Sequence, residues 1–404
     1  DIDDASLEQL GQWPWPRTLL AQLVVNLMNA GAQAVAFDMV FAESDRSSPD
    51  KILQQLKLPP EVQPLSDAIA ALPSHDDVFA QTLVGLPVVT GFVLTESPTY
   101  RKPAAKSSFA IAGDDPKPFV IDFPGAVTNL RQIEIAAAGN GAFNSMPEAD
   151  LVIRRVPLVF QSQGMLYPSL AAEALRVVQG QKTYLIKSSG ASGTTAFGEH
   201  TGIDTIKIGQ FVAQTDAGGR VFLHFSPFHA DRYVPAWRIL NNDFDASAVA
   251  GKIVFIGTSA AGLKDLRATP LQKAIPGVEI HAQVIEAILT EDFLKRPSFA
   301  DGAELIYLLV LGLAMIFLLR TVGAVVSLVA GAIAAGVVIG GSFYLFTEMG
   351  WLVDPIIPTI MVFVMFLTST IVSYLLSEAQ RRFVRDAFGR YLSPVVVQEL
   401  AKNP

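Results

Sequence analysis

The sequence predicts an α/β domain with a mainly parallel sheet, followed by an all-α region that crosses a membrane. For the domain, short apolar runs of strand type alternate with amphipathic helical stretches, which is the pattern of a parallel sheet covered by helices. That part is also polar enough, and long enough, to fold around its own core. For the membrane region, half of the 404 residues are hydrophobic, and the excess collects after Gly302.

The elements follow in order. Pro16–Ala30 reads as a helix with Leu19, Leu20, Leu23, Val24, Leu27 and Met28 on one stripe, ended by Gly31. Ala34–Phe41 is a strand. Asp76–Val84 belongs to a helix stopped by Gly85, and Val88–Leu94 is the next strand. Ser44–Pro64 and Thr95–Pro118, rich in Pro, Ser and charge, read as loops. Ile206–Ala213 and Arg220–Ser226 flank Asp216-Ala217-Gly218-Gly219, a hairpin signal. Lys252–Ile256 is a short apolar strand, and Val278–Leu289 is an amphipathic helix leading towards the membrane. There is no internal repeat.

Ala303–Leu319, Val322–Phe346 and Pro355–Leu376 are apolar runs interrupted only by Glu304. A span needs about 20 such residues, and the first run is short by that measure. Arg320 lies in the first turn, Glu348 and Asp354 in the second, and Arg381, Arg382, Arg385 and Arg390 follow the third run. The positive-inside rule then puts the tail inside and the large domain outside. The expected organisation is an extracytoplasmic domain over 1–302, three spans over 303–376 and a cytoplasmic linker helix over 377–404. No ionisable residue lies deep in a span, which argues against a transporter.

Of 30 basic and 38 acidic residues, 6 and 7 lie in 301–404, so the large domain is net −7. Nucleic acid is not expected as a partner, because phosphate binding needs a basic face. With no cysteine there are no disulfides and no thiolate metal sites. Five scattered histidines offer no zinc spacing, and no metal site is expected. Asp1 reads as the end of a strand, which implies earlier polypeptide and an earlier membrane anchor.

Asp3, Asp4, Asp38 and Asp265 fall at or beyond strand ends, the edge where open α/β sheets bind ligands. With Arg17 and Arg267 they are the candidate ligand-binding residues. They suit a small charged molecule or a hard cation, or else they cap helices and pair with the two arginines. Gly257-Thr258-Ser259-Ala260-Ala261-Gly262 follows a strand but carries neither nucleotide fingerprint, so it reads as a tight turn. Trp13 and Trp15, between prolines, fill core or stack a ligand. His281 reads as a packed histidine on the apolar side of its helix. Ala332, Gly336 and Gly340 are spaced for close helix contact. Phe383, Val384, Ala387, Phe388 and Tyr391 share one broad face of a linker helix fit to transmit a signal, and Ser393-Pro394 starts a new helix. No catalytic residue is assigned.

Two sets of motifs carry a resemblance. Asp3-Asp4-Ala5-Ser6-Leu7, Trp13-Pro14-Trp15-Pro16-Arg17, Phe37-Asp38, Gly257-Thr258 through Gly262, Asp265-Leu266-Arg267-Ala268-Thr269-Pro270 and Pro276-Gly277-Val278-Glu279-Ile280-His281-Ala282 resemble the second type of the CHASE extracellular sensor domain, over most of 1–297. Phe383–Pro394 resembles the segment leading into the catalytic domain of class III adenylate and guanylate cyclases. The resemblance implies a homodimeric receptor adenylate cyclase of the inner membrane. An unknown small ligand is sensed outside. ATP is converted inside to cyclic AMP and pyrophosphate, with two Mg or Mn ions in a catalytic domain absent from this sequence. It also allows a histidine kinase or diguanylate cyclase output.

Overall fold

A computed structural model describes residues 1–55, 63–191, 202–263, 265–297, 300–321 and 324–388. It divides into Asp1–Leu294 and Lys295–Pro404.

In the first unit, helices α1 (Asp4–Leu10) and α2 (Arg17–Asn29) lead into strand β1 (Ala34–Phe37). After α3 (His75–Leu83) come β2 (Val88–Thr95), β3 (Gly125–Val127) and β4 (Gly139–Ala142). Helices α4 (Leu170–Val178) and α5 (Ala236–Leu240), strand β5 (Ile253–Ile256) and helix α6 (Gly277–Thr290) complete the frame. The central sheet has the order β5-β1-β2-β3, with β4 also on β2. β5, β2 and β4 pair in parallel, and only β3 is antiparallel. The α/β class and the mainly parallel sheet are as the sequence predicts.

β1 is buried at all four positions, so it reads Ala-Val-Ala-Phe without polar alternation, as strands covered on both faces do. Its alternate residues feed two cores. Val35 and Phe37 join Trp15, Leu20, Leu23, Leu27 and Phe79 beneath α2 and α3. Ala36 joins Leu170, Leu175, Val284 and Ile288 beneath α4 and α6. At about 25 cal/mol per Å² of apolar area, these two layers are the main favourable contribution to folding.

Three expectations need correction. Ser44–Pro64, read as a loop, contains the helix Pro49–Gln55. The run Ile206–Ala213 is two antiparallel strands, Ile203–Ile208 and Phe211–Gln214, paired from Thr205–Gln214 to Ile208–Phe211. The reversal falls at Gly209, whose φ of 60° suits glycine, and the Gln179 side chain accepts the Gln210 N–H at 2.9 Å. The Asp216–Gly219 turn does form, but Arg220–Leu223 pairs elsewhere, with Arg155–Pro157 and Phe293–Leu294. The last correction is in Thr95–Pro118, which contains the strand Ser108–Ala112, parallel to Thr183–Ser188.

The second unit holds α7 (Ala300–Thr321), α8 (Ala324–Met349) and α9 (Ile356–Phe388). Within α8 and α9, Leu328–Met349 and Ile356–Phe383 are long and apolar enough to cross a membrane. The apolar part of α7, Gly302–Leu318, is shorter than the roughly 20 residues of a typical span. Two candidate spans are therefore present among the described residues, where the sequence led us to expect three. Close packing falls at Gly312 against Met361 and at Gly331 against Val362 and Met315. The Gly336 and Gly340 positions face open space within the chain. Val384, Ala387 and Phe388 lie on α9, and Phe383 on the same helix is exposed. Tyr391, Ser393 and Pro394 lie outside the described residues.

Candidate functional site

Asp38 directly follows β1 at the sheet's carboxyl edge. Its backbone N–H continues the β1–β5 ladder by donating to the Ile256 carbonyl at 2.9 Å. Its side chain is only 4% exposed and lies 3.6 Å from His281 Nε2. His281 stands on the second turn of α6 and stacks on Phe255 of β5, with ring centroids 5.9 Å apart. Its Nδ1 is buried without a hydrogen-bond partner.

Asp265 reaches the same edge from the segment after β5. Its carbonyl accepts the Gly277 N–H at 2.8 Å, and its carboxylate pairs with Arg267 Nη2 at 2.8 Å. A Cβ on Gly277 would collide with Asp265 Oδ2, so glycine at the start of α6 is what lets the carboxylate approach the helix N-terminus. Burial pushes the Asp265 carboxyl up, Arg267 opposes this, and the charge of Asp38 adds to it. Arg267 Nε is also buried and unpartnered. Asp38, Asp265, Arg267 and His281 thus form one cluster with two unsatisfied nitrogens.

The other candidates lie differently. Asp3 caps α1, its Oδ1 accepting the Ser6 N–H at 2.9 Å. Asp4 Oδ1 accepts the Ala261 N–H at 3.2 Å, which braces the turn after β5. Ile2 holds the same turn by a parallel bridge to Thr258. Arg17 belongs to a separate, buried cluster. Its Nε is 3.5 Å from Asp76 Oδ1, its guanidinium lies 4.6 Å from the Phe41 ring centre, and its backbone N–H donates to Asp45 Oδ2 at 2.6 Å. Burial lowers the Arg17 pKa, against the charges of Asp76 and Asp45. Asp45 also accepts from the Ser47 N–H at 2.8 Å and the Ser47 hydroxyl at 2.6 Å, and it meets His75 Nδ1 at 3.2 Å.

Sequence reasoning missed Asp45, Asp76 and His75. The available signals were the Asp45-x-Ser47 spacing of an Asx turn and Ser74 before His75-Asp76-Asp77, a helix N-cap pattern. It also missed the buried network on α4. There Glu173 takes Arg176 Nε at 2.8 Å, Arg176 Nη2 at 2.7 Å and the Tyr184 hydroxyl at 2.7 Å. That network is satisfied and reads as fold support. Among the described residues no three His, Asp or Glu side chains converge as a metal site.

Comparison with known families decides what kind of domain this is. The CHASE2 domain family matches residues 1–318. The chain belongs to the CHASE2 family. CHASE2 is an extracellular sensor domain of signalling receptors, so the cluster at the sheet edge sits in a sensor. No curated protein and no solved structure matches the chain.

The second unit carries a distinct polar feature where the segment before α7 meets the α8–α9 turn. Lys295 N–H donates to Gly350 O at 2.7 Å, and Lys295 O accepts the Leu352 N–H at 2.7 Å. Arg296 grips Glu304 of α7 in a fork at 3.2 and 2.9 Å. Glu304 Oε1 in turn accepts the Asp354 N–H at 3.0 Å. The segment leaving strand Phe293–Leu294 is thus clasped to the α8–α9 turn.

Proposed function

We propose that the chain is the sensor and transmembrane portion of a receptor adenylate cyclase. The supporting observation is the reach of α9. It runs unbroken over 33 residues, about 50 Å at 1.5 Å per residue, and a hydrocarbon core takes up about 30 Å. The helix therefore carries Arg381 and Arg382 out of the apolar zone and ends at Phe388, at the segment that resembles the lead-in to class III catalytic domains.

On this reading residues 1–302 lie outside, α7 also crosses, and 377–404 form the cytoplasmic linker. Two chains pair, because class III sites are built from two catalytic domains. A small charged ligand meets Asp38, Asp265 and Arg267, with Asp4 bracing the turn after β5, while Asp3 caps α1 and Arg17 stays in its separate cluster. A shift of strand Phe293–Leu294 reaches α9 through the Lys295–Arg296 clasp as well as through α7.

Membranes carrying the full protein should convert ATP to cyclic AMP and pyrophosphate with Mg or Mn. Formation of cyclic di-GMP, or of phosphohistidine, would replace this reading with the diguanylate cyclase or histidine kinase output.

A further inference from the structure

The Asp38 cluster is closed. The side chains of Asp38 and His281 are 4% and 6% exposed. Neither the cavity of about 820 Å³ along β5 nor that of about 550 Å³ beside Lys106 is lined by Asp38, Asp265, Arg267 or His281. A ligand of several atoms would have to part β1 from α6, whereas a proton needs no room. The cluster is also short of donors where charge is buried. Among the described residues the Asp38 carboxylate accepts no hydrogen bond, and His281 Nε2 at 3.6 Å is its only ion-pair partner. Burying an ionised carboxylate in that way is costly unless a positive group stands beside it. The carboxylate opposite Nε2 assigns the proton of a neutral imidazole to that nitrogen. Nδ1 is then left with a lone pair, and it is buried without a partner.

We propose that the small charged ligand of this cluster is the proton itself, taken up by His281 beside Asp38, and that α6 moves in response. The proposal rests on the reading of the cluster as the sensor's ligand site and gives that ligand its class. An imidazolium here meets Asp38 from the end of β1 and Asp265 from the segment after β5, and Arg267 is already held by Asp265 at 2.8 Å. The charged groups on neighbouring elements are engaged elsewhere. Glu279 of α6 is bonded to Tyr233 and Gln283, Glu173 and Arg176 of α4 pair with each other, and Arg220 pairs with Asp216. Asp265 shows the same shortage of positive charge, since burial pushes its carboxyl up, Arg267 opposes this and Asp38 adds to it. Protonation gives His281 a second N–H, at Nδ1, where no acceptor waits. A buried donor without an acceptor is unfavourable, so the charged state is satisfied by a shift of α6. That helix runs directly into the strand Phe293–Leu294, with the Asp292 N–H donating to Ala287 O at 3.1 Å.

The test uses the whole chain in detergent with isotope-labelled histidine, from about pH 5 to pH 8, the range in which histidine changes charge. His281→Gln identifies the His281 Cε1 resonance among the five histidines. That resonance should titrate. Hydrogen exchange of the 289–294 amides, corrected for its intrinsic pH dependence, should change severalfold with the same midpoint. Asp38→Asn should move both midpoints to lower pH by about one unit, because it removes an opposite charge beside the ring. A His281 resonance that stays flat overturns the proposal, and so does a midpoint that Asp38→Asn leaves in place. Exchange over 289–294 that ignores the titration of His281 overturns it too. The wider reading is judged separately, at fixed pH. A small charged molecule that raises the melting temperature of the unmodified chain but not of Asp38→Asn would keep the cluster as a ligand site and replace the proton as its ligand.

Discussion

Arg17 and Asp38 each lie in a cluster of charged side chains, one at the start of α2 and the other at the end of β1, yet the two are bonded differently. Around Arg17, hydrogen bonds and ion pairs link Asp45, Asp76, Ser47 and His75, and the guanidinium lies over Phe41, although Arg17 Nε and Asp76 Oδ1 are themselves buried without a hydrogen bond. Around Asp38, the nearest cation-capable group stands at 3.6 Å, and His281 Nδ1 and Arg267 Nε have no partner. Each cluster has two unmatched buried atoms, so the difference lies in the carboxylates: several hydrogen bonds fix Asp45 and Asp76, as in a fold-specifying network, whereas the Asp38 carboxylate has only His281 at 3.6 Å and keeps capacity for a ligand or a rearrangement. The Arg17 cluster ties the segment after β1 to α3. The Asp38 cluster ties β1 to α6, the helix that leads to strand Phe293–Leu294 and on to the second unit.

The strongest challenge to this contrast is Arg17→Ala. It leaves Asp76 buried without its cation and removes the stacking on Phe41. Losing one partner of a buried pair costs about 3–5 kcal/mol. Chemical denaturation, followed in the Asp1–Leu294 unit, should show a loss of that size. A loss under about 1 kcal/mol would mean the two clusters do not differ structurally.

Gly277→Ala probes the other side with a smaller effect. The new Cβ meets Asp265 Oδ2, so either the carboxylate or the α6 N-terminus must move. Overpacking of this kind costs about 1–3 kcal/mol. Asp265→Asn in the same background should not relieve the clash, because the amide keeps the volume, whereas Asp265→Ala should.

Much of the frame was legible because it rests on local pattern. The α2 stripe, the Gly31 stop and the uniformly apolar β1 and β5 each announce themselves in sequence. The Ser108–Ala112 strand was not legible, since its edge position leaves it largely exposed within a Pro- and Lys-rich stretch. The site was half legible. Asp38 and Asp265 were singled out by their positions after strands and Arg267 as a pairing partner, and the structure places the three together, but Arg17 was grouped with them because sequence distance does not show which carboxylates a side chain meets. His281 was read as packing alone. It does pack on Phe255, and only the structure shows it also facing Asp38 with an unmatched nitrogen.

Asp38→Asn should change stability by less than about 1 kcal/mol, since the carboxylate makes no short bond to His281 and a typical hydrogen bond is worth about 1 kcal/mol net. Its effect should appear in binding. If a small charged molecule raises the melting temperature of the unmodified chain by mass action, Asp38→Asn should abolish the rise while the apo melting point stays put. An unfolded variant would place Asp38 with Arg17 as a fold-specifying residue.

The smallest effect distinguishes the clusters by the sign of their pH response. Burial raises the Asp265 carboxyl above its ordinary value, which Arg267 only partly offsets. A carboxyl raised on folding takes up a proton more readily when folded. Its contribution to stability is therefore complete below the ordinary carboxylate range near about 4 and is lost as pH rises through the raised value. Asp45 behaves oppositely. Burial would raise it, but the hydrogen bonds from Ser47 and from the Arg17 backbone outweigh that and hold it low. Its contribution is present above the ordinary range and is lost as pH falls through the lowered value. Melting temperatures taken from acid to neutral should thus converge for Asp265→Asn and the unmodified chain at neutral pH or favour the variant there, with the unmodified chain gaining on the variant towards acid. Asp45→Asn should show the reverse, being most destabilised at neutral pH and catching up in acid. If both variants gave the same slope, the two clusters would be electrostatically equivalent, and the sparse bonding of the Asp38 carboxylate would no longer set it apart.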